Sequence, residues 1–364
     1  MKSLLLVAGM AVCGTVVDAL TATRVCAEPA PFMMRAVVDG QTIEGQPLIW
    51  NQQNMLLMGR DGVLHDFKPA DAKEAVKVGR GFVGYTTAEM AAVLRAEFDR
   101  SYEVVTTPHF VVVHPIGGWQ EWAERLEFLF GSFTNYMSAR GFKLHEPATP
   151  LVAVIYRTQQ EYYAHAKSDG APVHIGTLAS YDAAANRLYM FNGSEDQMRA
   201  DWGANAQGLI HEATHQTAYN VGVHSRLTEQ PRWAVEGLAM MFEAPGIWDA
   251  AAVRNPVERL NRGRLDYFKE STDQRSPEWI AQLVASDQLF RTDPVTAYSN
   301  AWTLTYFLAE TRPQQYSAYL ARVAAREPFA AYTPTDRMRD FSSAFGEDIE
   351  VLMTQVERFV EELP

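Results

Sequence analysis

The chain has 364 residues, 47% of them hydrophobic and 21% charged, with a formal net charge of −12. That length suits one large domain or a large domain with a small companion, and the apolar share is enough for a buried core. The acidic balance and the lack of a long basic block exclude an ordinary nucleic-acid-binding surface.

At the N-terminus, Lys2 precedes the apolar run LLLVAGMAVCGTVV, and Val25-Cys26-Ala27 is a small-residue cleavage site. Residues 1–27 therefore read as a signal peptide cut after Ala27, with retention as an uncleaved anchor the alternative. The run is short for a membrane span. The expected location is secreted or periplasmic, with no stable membrane span after signal cleavage. Cys13 and Cys26 both fall in the predicted signal. The mature chain would then lack disulfides, and any metal site would be built from His, Asp and Glu.

Residues 28–80 read as a small β-rich module, with hairpin signals at Asp39-Gly40 and Asp61-Gly62. It is either a binding module or a cover for the main domain, which would occupy 81–364. TTAEMAAVLRAEF reads as a helix with Thr87 as its cap, and YEVVTTPHFVVVHP as a strand pair or one long strand. Between Gly118 and Arg140, Trp119, Trp122, Leu126, Leu129, Phe133 and Tyr136 recur every three or four residues, the pattern of an amphipathic helix on a sheet. PLVAVIYR is a buried strand, a helix starts at Thr158, and VHIGTLASYD and NRLYMFNG are strand-like. From 201 the pattern turns helical, with Asp201 a candidate cap. The last helix carries Ile349, Leu352, Val356, Phe359 and Val360 on one face.

The segment GLIHEATHQTAYN holds the strongest chemical signal. On a helix, His211 and His215 share a face one turn apart and can both reach one tetrahedral ion. Glu212 is rotated by about 100° and would reach the open side of that ion, where a water would sit. This H-E-x-x-H arrangement suits zinc hydrolysis. Gly208 and Ala218 leave space near the histidine face. A catalytic zinc needs a third protein ligand. Where the metzincin pattern has glycine and histidine, this chain has Ala218 and Val221. His224, Glu229, Glu236 and Glu243 are within range. Glu236 is favoured: it sits in PRWAVEGLAMMF, a helix that Pro231 can open and that looks buried all round. A lone carboxylate there is costly unless paired or bound to metal. Gly237 would let a second helix approach closely. Glu229 and Glu243 lie at the helix ends, where exposure is expected.

His211-Glu212-x-x-His215 followed by Glu236 in WAVEGLAMMFE resembles a gluzincin zinc metallopeptidase of the peptidase-MA-like type. TTPHFVVVHP, the helix after it and AYSNAWTLTYFL extend the likeness, over roughly 85–310, to an uncharacterised family of secreted bacterial proteins. The resemblance implies an α+β fold: a zincin-like domain with a mixed sheet and helices, then a helical C-terminal part, with the cleft along an edge strand. It also implies Zn2+ on His211, His215 and Glu236, Glu212 as general base, and a peptide or protein substrate. Thermolysin-like members carry an acid soon after the glutamate ligand to orient the first histidine. Here Ala239 and Met240 stand three and four residues on, and Glu243 is the first acid. For a donor to the oxyanion, the resemblance brings forward Tyr181 and Tyr298. Tyr298 is favoured as a residue at the start of a helix, against the alternative that both phenols simply pack.

The expected function is thus a secreted or periplasmic zinc-dependent peptidase. One alternative is a metal-binding scaffold or inactive peptidase-like binding protein, and another a docking protein working through its β module.

Overall fold

The computed structural model describes residues 30–117, 121–168, 178–192, 202–346 and 348–364. The predicted signal peptide with its two cysteines, Trp119 and Asp201 lie outside the described residues. The fold is mixed α+β, with two sheets and a helical C-terminal part. Contacts divide the chain into two compact units, one of Met1–Glu127 with Pro147–Leu209, the other of Phe128–Glu146 with Ile210–Pro364.

In the first unit, β1 (Phe32–Val38), β2 (Gln41–Trp50), β3 (Met55–Gly59), β4 (Leu64–Phe67) and β5 (Lys73–Arg80) form an antiparallel sheet in the order β4-β3-β2-β1-β5. The β1–β2 hairpin closes through Asp39 (φ 49°) and Gly40 (φ 79°). Two positive φ values in a row are what a two-residue turn of this hand requires. Met34, Ala36, Met55 and Leu57 form the buried face of this sheet. Leu64 N donates to Ala184 O (2.9 Å) and Arg60 pairs with Glu89 (3.1 Å), so the sheet is tied to the rest of its unit.

The second sheet is mixed, in the order β6-β7-β8-β10-β9: β6 (Tyr102–Thr106), β7 (Phe110–Pro115), β8 (Leu151–Tyr156), β9 (Ala179–Asp182) and β10 (Arg187–Phe191). β7, β8 and β10 run parallel, and the outer pairings β6–β7 and β9–β10 are antiparallel. The fully buried runs FVVVHP and LVAVIY suit parallel strands covered on both faces. Val111, Val113, Val152 and Val154 share one face and pack on Met90, Ala91 and Leu94 of α1 (Thr87–Glu97). Helix α1 is capped by Thr86, one residue before the expected cap: Thr86 and Glu89 form a reciprocal capping box. Helix α2 (Glu121–Ala139) follows β7, and α3 (Gln159–Ser168) starts after Thr158, whose hydroxyl accepts from Glu161 N.

Then come α4 (Trp202–Asn220), α5 (Arg232–Phe242), α6 (Pro245–Trp248), α7 (Arg262–Glu270), α8 (Trp279–Ala285), α9 (Leu289–Thr292), α10 (Pro294–Thr311), α11 (Pro313–Ala324), α12 (Pro334–Phe345) and α13 (Ile349–Glu362). Every residue from Trp233 to Phe242 is buried, as its sequence predicts. Trp233 stacks on Tyr319 of α11 at 5.6 Å and meets Phe341 of α12 edge-on; Phe242 meets Phe133 of α2 at 4.9 Å. Helix α10 crosses close to α5 at Gly237, where an added Cβ would lie 2.1 Å from Thr305 Oγ1 and 2.6 Å from Ala301 O. Only glycine allows that approach. No described helix is long and apolar enough to cross a membrane.

Candidate metal centre

Helix α4 carries His211 and His215 on one face, as a spacing of four requires. Their rings stand 4.7 Å apart at 83°, with the two Nε2 atoms 3.0 Å from each other. Helix α5 brings Glu236 to the same place: its Oε2 is 3.3 Å from His211 Nε2 and 3.9 Å from His215 Nε2. All three side chains are at most 4% exposed. Among the described residues they are the group of His, Cys, Asp and Glu able to hold one metal ion. Tetrahedral zinc with bonds of about 2.0–2.1 Å spaces its donors by about 3.3 Å, and the three separations bracket that value. Glu236 Oε2 is buried without a hydrogen bond, an arrangement a carboxylate tolerates when a cation takes the lone pair. The donor set therefore fits a divalent cation. Its nitrogen and oxygen chemistry is compatible with zinc, and does not by itself choose among the transition metals.

The residues around the ligands explain how they are aimed. Glu243 accepts at Oε1 from His211 Nδ1 (2.8 Å) and at Oε2 from Asn261 Nδ2 (2.8 Å). A proton fixed on Nδ1 leaves Nε2 with its lone pair toward the cation. Glu243 thus supplies the acidic partner of His211, and its side chain is only 8% exposed. The expectation that it would be exposed fails because Asn261, from the turn before α7, folds over it. Asn261 is itself fixed by a bond to Met240 O and by capping α7.

Burial alone would lower the pKa of His211, but its contacts with Glu236 and Glu243 outweigh that and raise it to about 10. Burial, and then the neighbouring His211, lower His215 to about 3. Burial would raise Glu236, but His211, His215 and Arg232 together bring it below the usual carboxylate value. Without a cation, His211 is thus held protonated on both nitrogens, and a cation would displace the proton on Nε2 while the one on Nδ1 stays with Glu243.

Arg232 was not singled out in the sequence. Its Nε lies 3.4 Å from Glu236 Oε1, and its Nη2 donates to the Tyr298 hydroxyl at 3.0 Å. Its place four residues before Glu236 on one helix is the signal that could have found it. Tyr298 is buried in the second turn of α10, which Asp293 caps and Pro294 opens, and is not at the helix start as expected. Burial, and then the charge of Glu236, hold its phenol well above the ordinary pKa. The start of α5 is fixed from afar. Pro231 gives no side-chain cap, and Asp287 Oδ1 instead accepts from Arg232 N (3.0 Å). Asp287 is gripped in turn by the buried Arg337 of α12.

Residues 205–330 match the family described as Protein of unknown function (DUF1570). The match spans His211, Glu212, His215, Glu236, Glu243 and Tyr298. No curated protein matches the chain.

The remaining candidates fall elsewhere. Glu229 pairs with Arg337 (2.6 Å) and accepts from Tyr332 N, and stays outside the ligand group. His224 is buried against Tyr219, with ring centroids 5.3 Å apart, also outside that group. Tyr181 lies on β9, where its hydroxyl donates to Asn186 Oδ1 at 2.8 Å. Glu212 is 4% exposed and its charge acts on His211. At Gly208, among the described residues, an added Cβ would make an ordinary contact with Leu178 at 3.5 Å.

Proposed function

We propose that the protein is a zinc-dependent hydrolase, a peptidase that works in the periplasm or outside the cell. The observation that carries this reading is the buried His211–His215–Glu236 group followed along α4 by a buried glutamate next to its first member. Structural zinc is usually closed by four protein ligands, whereas catalytic zinc keeps three and an open position. Three are grouped here among the described residues.

Zinc bound there would polarise a scissile carbonyl and lower the pKa of the attacking water. Glu212 would accept that water's proton and return it to the leaving nitrogen. Glu243 keeps the His211 proton on Nδ1, and Arg232 occupies one oxygen of Glu236 so that the other faces the cation. The Tyr298 hydroxyl, held by Arg232 beside Glu236, is the candidate donor toward developing negative charge.

Metal content and turnover test the reading separately. Zinc analysis of the protein should give one ion per chain, reduced by His211→Ala, His215→Ala or Glu236→Ala. Glu212→Gln should keep zinc and thermal stability while peptide hydrolysis falls by about 10²–10⁴-fold. A Gln variant that cleaves as fast as its parent would refute Glu212 as the base, and zinc binding without hydrolysis by the parent would leave a metal-binding scaffold as the better description.

A further inference from the structure

Two guanidinium groups stand beside Tyr298, and one of them, Arg232, also touches the ligand group. Arg232 is 22% exposed, and its anionic contact is Glu236 at 3.4 Å. Arg264, on α7, is half-buried, with its Cζ 5.2 Å from the centroid of the Tyr298 ring; the Arg232 Cζ is 5.8 Å from the same centroid. Among the described residues the Arg264 guanidinium makes no ion pair or hydrogen bond, and the Tyr298 ring is its contact. A partly buried cation without a counter-ion is costly. Glu236 cannot balance both arginines, because its second oxygen faces the imidazoles. A cation held there would commit the carboxylate further. The surroundings of Tyr298 then carry excess positive charge in a chain whose net charge is −12. A local field of this sign draws in an anion that the rest of the surface repels. Guanidinium groups are weakly hydrated and match a carboxylate with paired N–H donors.

We propose that Arg232 and Arg264 form an anion subsite beside Tyr298 that takes a carboxylate of the substrate. The carboxylate is the free C-terminus of a peptide or the side chain of an Asp or Glu in it. The peptidase reading supplies only the kind of molecule that carries this group; the subsite stands on the two arginines.

The test uses the full chain carrying Glu212→Gln, so that bound peptides are not consumed. The probe is an N-acetylated tripeptide pool, random at its last two positions, prepared once as free acids and once as C-terminal amides. Retained peptides are identified by mass spectrometry, with zinc-loaded and with chelator-treated protein. Peptides with a carboxylate should be retained about tenfold over those without, the size of one charge-assisted hydrogen bond. Preference for acids over amides assigns the subsite to the C-terminus. Enrichment of Asp and Glu within the amide pool assigns it to a side chain. Arg264→Gln should bring either ratio near one, and Arg264→Lys, which keeps the charge, should preserve most of it. Equal retention with no Asp or Glu enrichment, retention of neither pool, or an unchanged ratio in Arg264→Gln overturns the proposal. Zinc content of the zinc-loaded sample judges the metal reading independently: protein that takes up no zinc yet still sorts by carboxylate supports the subsite while the peptidase reading fails.

Discussion

Replacing Glu243 by glutamine exchanges one oxygen for an amide NH2 and should weaken metal binding strongly. Glu243 accepts from His211 Nδ1 at one oxygen (2.8 Å) and from Asn261 Nδ2 at the other (2.8 Å). Glutamine has one acceptor oxygen and one donor amide. Whichever way it turns, one of the two donors meets another donor. At 8% exposure water cannot easily repair the loss. An unsatisfied buried group costs about 1–3 kcal/mol, and the bond that survives is no longer charge-assisted. With the amide toward His211, Nδ1 loses its acceptor and Nε2 its enforced lone pair. With the amide toward Asn261, the clamp on the side chain loosens. Either route should lower zinc affinity about 10–100-fold, the range usual for such partners. Competition against a chromophoric chelator at fixed pH measures it. Asn261→Ala removes the outer bond, with its own bond to Met240 O and the cap of α7, but leaves the His211–Glu243 bond and should cost less zinc affinity. Affinity within twofold of the parent in Glu243→Gln, in a background where Glu236→Ala abolishes binding, would refute the role given to Glu243.

Three further outcomes follow from the same geometry. Tyr298→Phe should lower kcat by about 10–100-fold, or about 1.4–2.7 kcal/mol, with zinc content unchanged; steady-state kinetics showing an unaltered kcat would leave Tyr298 a packing residue. Gly237→Ala should cost about 1–3 kcal/mol, because a Cβ 2.6 Å from Ala301 O forces α5 and α10 apart; a thermal melt at the parent's temperature would contradict that close approach. His211 has its folded pKa raised to about 10 from an ordinary 6.5. Its proton therefore stabilises the metal-free fold fully below pH 6.5, and that contribution is lost as pH rises through about 10. Because a cation must displace this proton, zinc affinity should increase by up to about tenfold per pH unit across the same window, and calorimetry in two buffers should show about one proton released per ion. A flat profile would mean the proton is not there.

The sequence made the local part of the site readable. His211 and His215 are set by helical periodicity alone, and Glu236 stood out as a carboxylate inside an apolar helix that the fold does bury on every side. Gly237 was legible for the same reason. The surrounding contacts were not, because they depend on chain-distant partners. Glu243 looked like an exposed helix end until Asn261, 18 residues on, covered it. Arg232 shares a helix with Glu236, but its second contact, the Tyr298 hydroxyl, lies 66 residues away. Thr86 and Glu89 spell a capping box that outranks Thr87, and Asp293-Pro294 marks the start of α10 one turn before Tyr298.

The anchoring of α5 through Asp287 and Arg337 bears on where this protein can be cut. The family match begins inside α4 and stops at residue 330. Arg337 lies beyond that limit, as does Phe341, which packs on Trp233. A fragment trimmed to the matched boundaries would keep all three candidate ligands and Asp287. It would lose the cation that holds Asp287 against the first N–H of α5, and with it the fixed axial position of that helix. Glu236 sits one turn further along, so a slip at the start of α5 becomes a displacement of the third donor. The ligands occupy a short stretch of chain, but the rigidity that makes them a site comes in part from the C-terminal helices. Fragments for structural or metal-binding work should extend through α12 at least.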